Sequence, residues 1–222
     1  MAAPYRPHSP LHAGSFTPVD ESAKWALRRR LMAARRAVPA AVREAEAAAL
    51  AAAALAEISL PGLPRVGLPG TVCAYWPVSG EPGSPELLDN LARRGCRVLL
   101  PLVSPPTGAA GPLDWAEYTG AGSLRAGPLG LREPTGPRLG CAVIATAVLV
   151  LVPALAVDWH GIRLGRGGGH YDRTLPLTST GTPLVAVVRD DEVLASVPVQ
   201  PHDVPVTAAL TPGRGLFPLG QF

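Results

Sequence analysis

Lysine is almost missing from this 222-residue chain: of its 20 basic residues, all but Lys24 are arginine. Charge of either sign is sparse at 17%, and the net charge is only +3. So small an excess does not make a nucleic-acid surface. Cysteines number three (Cys73, Cys96, Cys141), odd and widely spaced, with no CxxC. That excludes a disulfide scaffold and gives no zinc or dithiol motif. Long apolar runs are also scarce. Leu139–Val157 approaches membrane-spanning length, but Thr146 and Pro153 interrupt it. Its β-branched stretch Val148–Val152 reads as a strand covered on both faces of a parallel sheet. Met1–Pro18 holds four prolines and no apolar run, so it is no signal peptide.

What is present is 47% apolar residues, enough to bury a core, with 24 glycines and 26 prolines to punctuate it. The length suits one domain. The expected division is a disordered tail over 1–19, one domain over 20–212 and a C-terminal tail over 213–222, in a cytoplasmic protein.

Asp20 and Ser22 can cap a helix starting near Ala23, with Trp25, Leu27, Leu31 and Met32 leaning to one face. On this reading Arg29, Arg30, Arg35 and Arg36 are solvated. Pro39 opens a second, alanine-rich helix to about Ile58. Pro61, Pro64 and Pro69 make a linker. Then come a strand over Thr71–Trp76, a loop, a helix over Pro85–Arg94 capped by Ser84, and a strand over Arg97–Val103. Ser104–Pro112 reads as loop, Leu113–Tyr118 as an antiparallel excursion, and Gly120–Pro137 as having little regular structure. Further strands are expected at Val143–Val152, Pro183–Val188 and, last, Val206–Leu210, with a helix near His170 and a helical turn at Asp190–Leu194. The fold class is α/β: three layers, a mostly parallel central sheet with helices on both faces, and two N-terminal helices.

The segment Asp158-Trp-His-Gly161-Ile-Arg163-Leu164-Gly165-Arg166-Gly167-Gly168-Gly169-His170-Tyr171-Asp172 carries the chemistry. Four glycines in five positions let backbone N–H groups approach an anion, and a following helix start favours negative charge. Arg163 and Arg166 add guanidinium forks suited to phosphate. The chain has no GxxxxGK[ST], and the loop is not at the first βα turn of a dinucleotide fold. On glycine content alone, a plain flexible turn stays open. Asp158 is read as organising the turn.

The run DxxGxRLGRGGGxYD after an apolar strand ending in Pro153 closely resembles the signature of the 5-formyltetrahydrofolate cyclo-ligase family. Lys24-Trp-Ala-Leu-Arg28 is similar to its KxxLR segment. Tyr75–Ser84 resembles its strand and acidic loop, with Glu81 at the acid, and Arg97–Pro101 its strand ending in Pro. Gly130–Pro134 resembles GIxEP, and Pro201–Val206 the HDxxV box. The resemblance spans about residues 22–212.

It implies an ATP- and Mg2+-dependent ring closure of 5-formyltetrahydrofolate to 5,10-methenyltetrahydrofolate. By carry-over, Lys24 and Arg166 are the catalytic cations. Lys24, Arg28 and the segment Arg163, Leu164, Gly165, Arg166, Gly167, Gly168, Gly169, His170, Tyr171 and Asp172 bind ATP. Glu81 and His170 face the folate, and Asp172 and Asp203 hold Mg2+. Tyr75 and Trp115, with Trp76, are candidate substrate contacts on aromatic character alone, and core packing stays open for each. The partner is a small molecule, with no nucleic acid and no membrane, and a monomer is expected. Three positions depart from the family pattern: His170 where Tyr is usual, Gly168 where Lys is frequent, and Thr207 where an acid is common. A binder of a folate-like heterocycle without turnover and a sugar-phosphate or CoA-type enzyme are the competing readings.

Overall fold

The computed structural model describes residues 21–56, 69–78, 80–103, 111–127 and 130–220. The expected N-terminal tail, most of the linker and most of the loop over 104–112 lie outside them, as does the end of the second helix. Among the described residues, twelve strands and four α-helices follow in chain order. They are α1 (Glu21–Ala37), α2 (Ala40–Ala56), β1 (Thr71–Cys73), α3 (Pro85–Arg93), β2 (Arg97–Leu102), β3 (Asp114–Glu117), β4 (Leu124–Ala126), β5 (Arg132–Pro134), β6 (Ala147–Pro153), β7 (Ala156–Asp158), β8 (Arg163–Leu164), α4 (His170–Thr174), β9 (Leu184–Val187), β10 (Val193–Leu194), β11 (Ala208–Thr211) and β12 (Gly215–Pro218).

Seven strands form the main sheet in the order β12-β11-β9-β6-β1-β2-β3. The inner five are parallel and the two edge pairs antiparallel. Alternation explains why β6 reads as one apolar run. Leu149 and Leu151 face α2 and α3, packing with Leu50, Leu87, Leu88 and Leu91. Val150 and Val152 face the opposite layer, with Ile144, Leu175 and Trp115. Each such side chain contributes about 1.5–3 kcal/mol when removed from water. α3 begins where expected because Ser84 Oγ accepts the Leu87 N–H at 3.1 Å and Pro85 occupies the first turn.

Local readings fail in identifiable ways. The central strand starts at Ala147, not Val143, since Cys141–Thr146 winds into a 3-10 turn. An apolar run alone does not distinguish the two. Gly120–Pro137 contains a two-stranded ribbon of β4 and β5. β7 pairs with β8 and β10 in a small second sheet. The second face of the main sheet is covered, as expected, by helical elements, all of them short: α4 and the 3-10 segments Cys141–Thr146 and Leu175–Leu177. Residues 213–220 are no tail: β12 pairs with β11, and Asp190 accepts from Thr211 Oγ1 and Gly213 N–H to hold the hairpin turn.

α1 keeps Leu27, Leu31 and Met32 on its packed face but turns Trp25 outward and two charges inward. Trp25 is 56% exposed, while Lys24, Leu31 and Arg35 are buried. Arg35 is no solvated charge. It pairs with Glu192 at 2.6 and 2.7 Å and donates to the Ala154 carbonyl at 2.6 Å.

Gly161 begins the glycine segment at φ +84, and a Cβ there would stand 2.2 Å from the Val206 carbonyl oxygen. The Val206 N–H donates to Gly161 O at 2.9 Å, so neither backbone can retreat without losing that bond. Gly161→Ala should therefore lower stability by more than about 3 kcal/mol. A urea midpoint equal to wild type would refute this.

Candidate active site

The carboxyl ends of β1, β2 and β6 open into one cavity of about 420 Å³, bounded on another side by α1 and the glycine segment. This is where parallel sheets present ligand sites. Every residue expected at the site lines it except Trp115. Trp115 is wholly buried on β3 in the core, so its reading as a substrate contact is corrected. Large aromatics with no local polar signal are core more often than not.

One end of the cavity is cationic. Lys24 Nζ donates to Asp203 Oδ2 at 2.6 Å and to Gln200 Oε1 at 3.0 Å. Arg28, one turn on, donates from Nε to the Gly165 carbonyl at 3.0 Å and lies against Gly167, whose φ is +99. α1 is thereby clipped to the glycine loop. Arg163 is not aimed at a ligand with its fork: both terminal nitrogens hold Asp172 Oδ1, at 3.0 and 2.8 Å, and its Nε is buried without a partner. Burial pulls that guanidinium's pKa down, and Asp172 and Asp203 hold it up. α4 has only five residues, so its dipole adds little. The groups suited to an anion here are Lys24, Arg28, Arg166 and the loop N–H groups.

Glu81 and two tyrosines form the neighbouring wall. Glu81 pairs through Oε1 with Arg166 Nε at 3.0 Å and accepts the Val78 N–H at 3.1 Å. Burial raises its pKa, opposed by Arg166, the Val78 N–H and Arg35. Tyr75 donates its hydroxyl to the Pro82 carbonyl. The Tyr171 hydroxyl is buried with no partner, and its pKa is raised by burial first and by Glu81 next. Asp158 orders the loop, as expected: Oδ1 accepts the His160 and Ile162 N–H groups and Oδ2 that of Val197.

Among the described residues no cluster of three or more His, Cys, Asp or Glu side chains could hold a metal. Asp172 and Asp203 nevertheless fit a cation that arrives with phosphate and water ligands. Their hydrogen bonds use Oδ1 of Asp172 and Oδ2 of Asp203, leaving one oxygen of each outside those bonds. Mg2+ typically takes one or two protein carboxylates.

Residues 20–212 match the sequence profile of the 5-formyltetrahydrofolate cyclo-ligase family. The chain belongs to this family. It is 50% identical over 194 residues to 5-formyltetrahydrofolate cyclo-ligase of Mycolicibacterium smegmatis, covering 87% of this chain and 95% of that protein. The Escherichia coli K12 protein of the same name is 32% identical over 145 residues, 65% of this chain and 79% of the relative. The solved structure of Aquifex aeolicus 5,10-methenyltetrahydrofolate synthetase shares the fold at TM-score 0.68 and 23% identity, covering 90% of this chain and 93% of that one.

In this member of the cyclo-ligase family, Gln200 and Arg35 were not anticipated at the cavity. Gln200 links Lys24, Asp203 and Glu21. A signal existed in its place three residues before Asp203, the spacing of a side-chain-closed turn. No comparable local signal marks Arg35. The two departures at the loop are also coupled: a Cβ on Gly168 would lie 2.9 Å from the His170 ring. A side chain at 168 therefore requires the ring at 170 to move.

Proposed function

We propose that this cyclo-ligase family member closes 5-formyltetrahydrofolate to 5,10-methenyltetrahydrofolate, with conversion of ATP to ADP and phosphate and with Mg2+ bound. The observation that carries the reading is the Arg166–Glu81 ion pair. It joins the glycine loop, suited to phosphates, to an acid suited to a pterin's N–H groups, inside one cavity.

ATP supplies the phosphoryl group that makes the formyl oxygen a leaving group, and Asp172 and Asp203 would hold a Mg2+ that neutralises phosphate charge. The protein's own part is positioning and electrostatics, which dominate phosphoryl transfer. Lys24 has three ammonium donors, two of them engaged by Asp203 and Gln200, and the third serves a phosphate oxygen. Arg28 holds the loop carbonyl of Gly165, so that Gly167–Gly169 keep their N–H groups toward the phosphates. Arg166, half exposed, follows charge as it moves from ATP to the formyl oxygen. Glu81 fixes the pterin, and the buried wall of Tyr75 and Tyr171 excludes water from the activated carbon.

Purified protein given 5-formyltetrahydrofolate and Mg-ATP should show a near-ultraviolet absorbance rise with matching ADP. Neither signal appearing would overturn the reading in favour of binding without turnover.

His170 provides a pH test. Burial lowers its pKa below the ordinary 6.5, Arg173 lowers it further, and a hydrogen bond with the Gly111 backbone opposes both. The ring is thus neutral at pH 7 and gains charge only on the acid side of 6.5. The pH profile of kcat/KM for the folate should bend in that acid range, and His170→Tyr should remove the bend. Persistence of the bend in the variant would assign it to another group.

A further inference from the structure

The cavity wall changes character across the sheet. The cationic loop follows β6 and β7, and Trp76 and Glu81 follow β1. Beyond them, on the β2–β3 side, Pro101, Val103, Leu113 and Leu131 make an apolar stretch that ends at Arg132. Arg132 lies on β5, which packs beside β2 and β3. Its guanidinium carbon stands 5.7 Å from the centroid of the Trp76 ring, and Trp76 in turn leans on Tyr118 at 6.1 Å.

The cavity's other cations all have protein partners. Lys24 pairs with Asp203, Arg35 with Glu192, Arg163 with Asp172 and Arg166 with Glu81, while Arg28 donates to Gly165 O. Exposed Arg132 makes no ion pair or hydrogen bond among the described residues; its only contact of this kind is with the Trp76 ring. The neighbouring Glu133 does not neutralise it, since that carboxylate is buried and accepts the Val103 N–H at 2.8 Å. A guanidinium resting on an indole keeps its N–H donors and loses less freedom on binding than a lone arginine.

A folate is elongated: pterin, p-aminobenzoyl ring, then a glutamate with two carboxylates. We infer that Arg132, seated on Trp76, binds the glutamate carboxylates of the substrate, while the apolar stretch takes the p-aminobenzoyl ring. This rests on the function proposed above and adds to it the group that recognises the substrate's far end. An arginine fork matches a carboxylate in bidentate fashion.

The test compares 5-formyltetrahydrofolate with 5-formyltetrahydropteroate, which lacks the glutamate, in wild type, Arg132→Gln and Arg132→Lys. The ratio of kcat/KM for the longer to the shorter substrate should fall roughly tenfold in Arg132→Gln, the scale of one charged hydrogen bond, and less in Arg132→Lys. An unchanged ratio overturns the inference. So does an equal loss on both substrates, which would mean that Arg132 merely supports Trp76, or a rise in the KM for ATP alone. If wild type turns over neither compound, the proposed function fails by itself. Calorimetric Kd values for the same compounds then decide the contact: selective weakening of the glutamate-bearing one supports it, and equal affinities refute it.

Discussion

Arg35→Met is expected to lower folding stability by about 3–5 kcal/mol, the cost of removing one partner from a buried ion pair. Both members are about 4% exposed, and the guanidinium makes two bonds to Glu192 and one to the Ala154 carbonyl. Methionine fills the volume but leaves the Glu192 carboxylate without its cation and the Ala154 carbonyl without its donor. Glu192 still accepts the Arg189 N–H, which softens the loss without cancelling it. The variant Arg35→Met with Glu192→Leu should recover much of the stability, because the stranded charge is gone. Urea unfolding reads both, with Arg36→Met, on the exposed side of α1, as control. A midpoint for Arg35→Met matching that of Arg36→Met would show that the pair contributes nothing. The consequence reaches function too: α1 carries Lys24, Arg28 and Arg35 on one face, so loosening Arg35 should also raise the KM for ATP.

Asp203→Asn should reduce turnover the most of the single changes at the cationic end, with kcat/KM for ATP down by on the order of 100-fold. Asp203 is 6% exposed at its side chain and accepts both the Lys24 ammonium and the Gln200 N–H through one oxygen. An amide leaves Lys24 buried with neutral hydrogen-bond partners and gives a metal a weaker, uncharged ligand. Lys24→Met with Asp203→Leu separates the two roles. If the pair is merely structural, that double variant should regain activity along with stability. Restored folding with activity still lost is the expected result, since the proposed phosphate site would keep neither its cation nor its metal acid. The Mg2+ concentration for half-maximal rate should rise in Asp203→Asn; an unchanged requirement would remove Asp203 from the proposed metal site.

The glycine segment was legible because its requirement is local. Close backbone approach needs missing side chains, and Gly161, Gly165 and Gly167–Gly169 are missing them wherever the rest of the chain goes. The helix at Pro85 was equally local, since Ser84 and Pro85 carry its start within one turn. Strand β6 was legible as apolar, though not its first residue, because a 3-10 turn and a buried strand ask for the same hydrophobicity. α1 is the opposite case. Its pattern of Trp25, Leu27, Leu31 and Met32 suggested an apolar stripe; Leu27, Leu31 and Met32 do pack inward, but Trp25 is exposed, and Lys24 and Arg35 share the buried face. Their partners stand 179 residues away at Asp203 and 157 away at Glu192. A charge is buried only where its counter-charge is delivered, and no local spacing encodes that delivery. Trp115 failed for a related reason: whether an aromatic stacks on a ligand or fills a core depends on the layer above it, here Ile144 and Leu175. The sequence by itself determined the glycine loop, the family and the order of the main strands and helices. The packing of α1 and of the short turns against the sheet decided which charges face the cavity, because that choice is made by groups far apart in the chain.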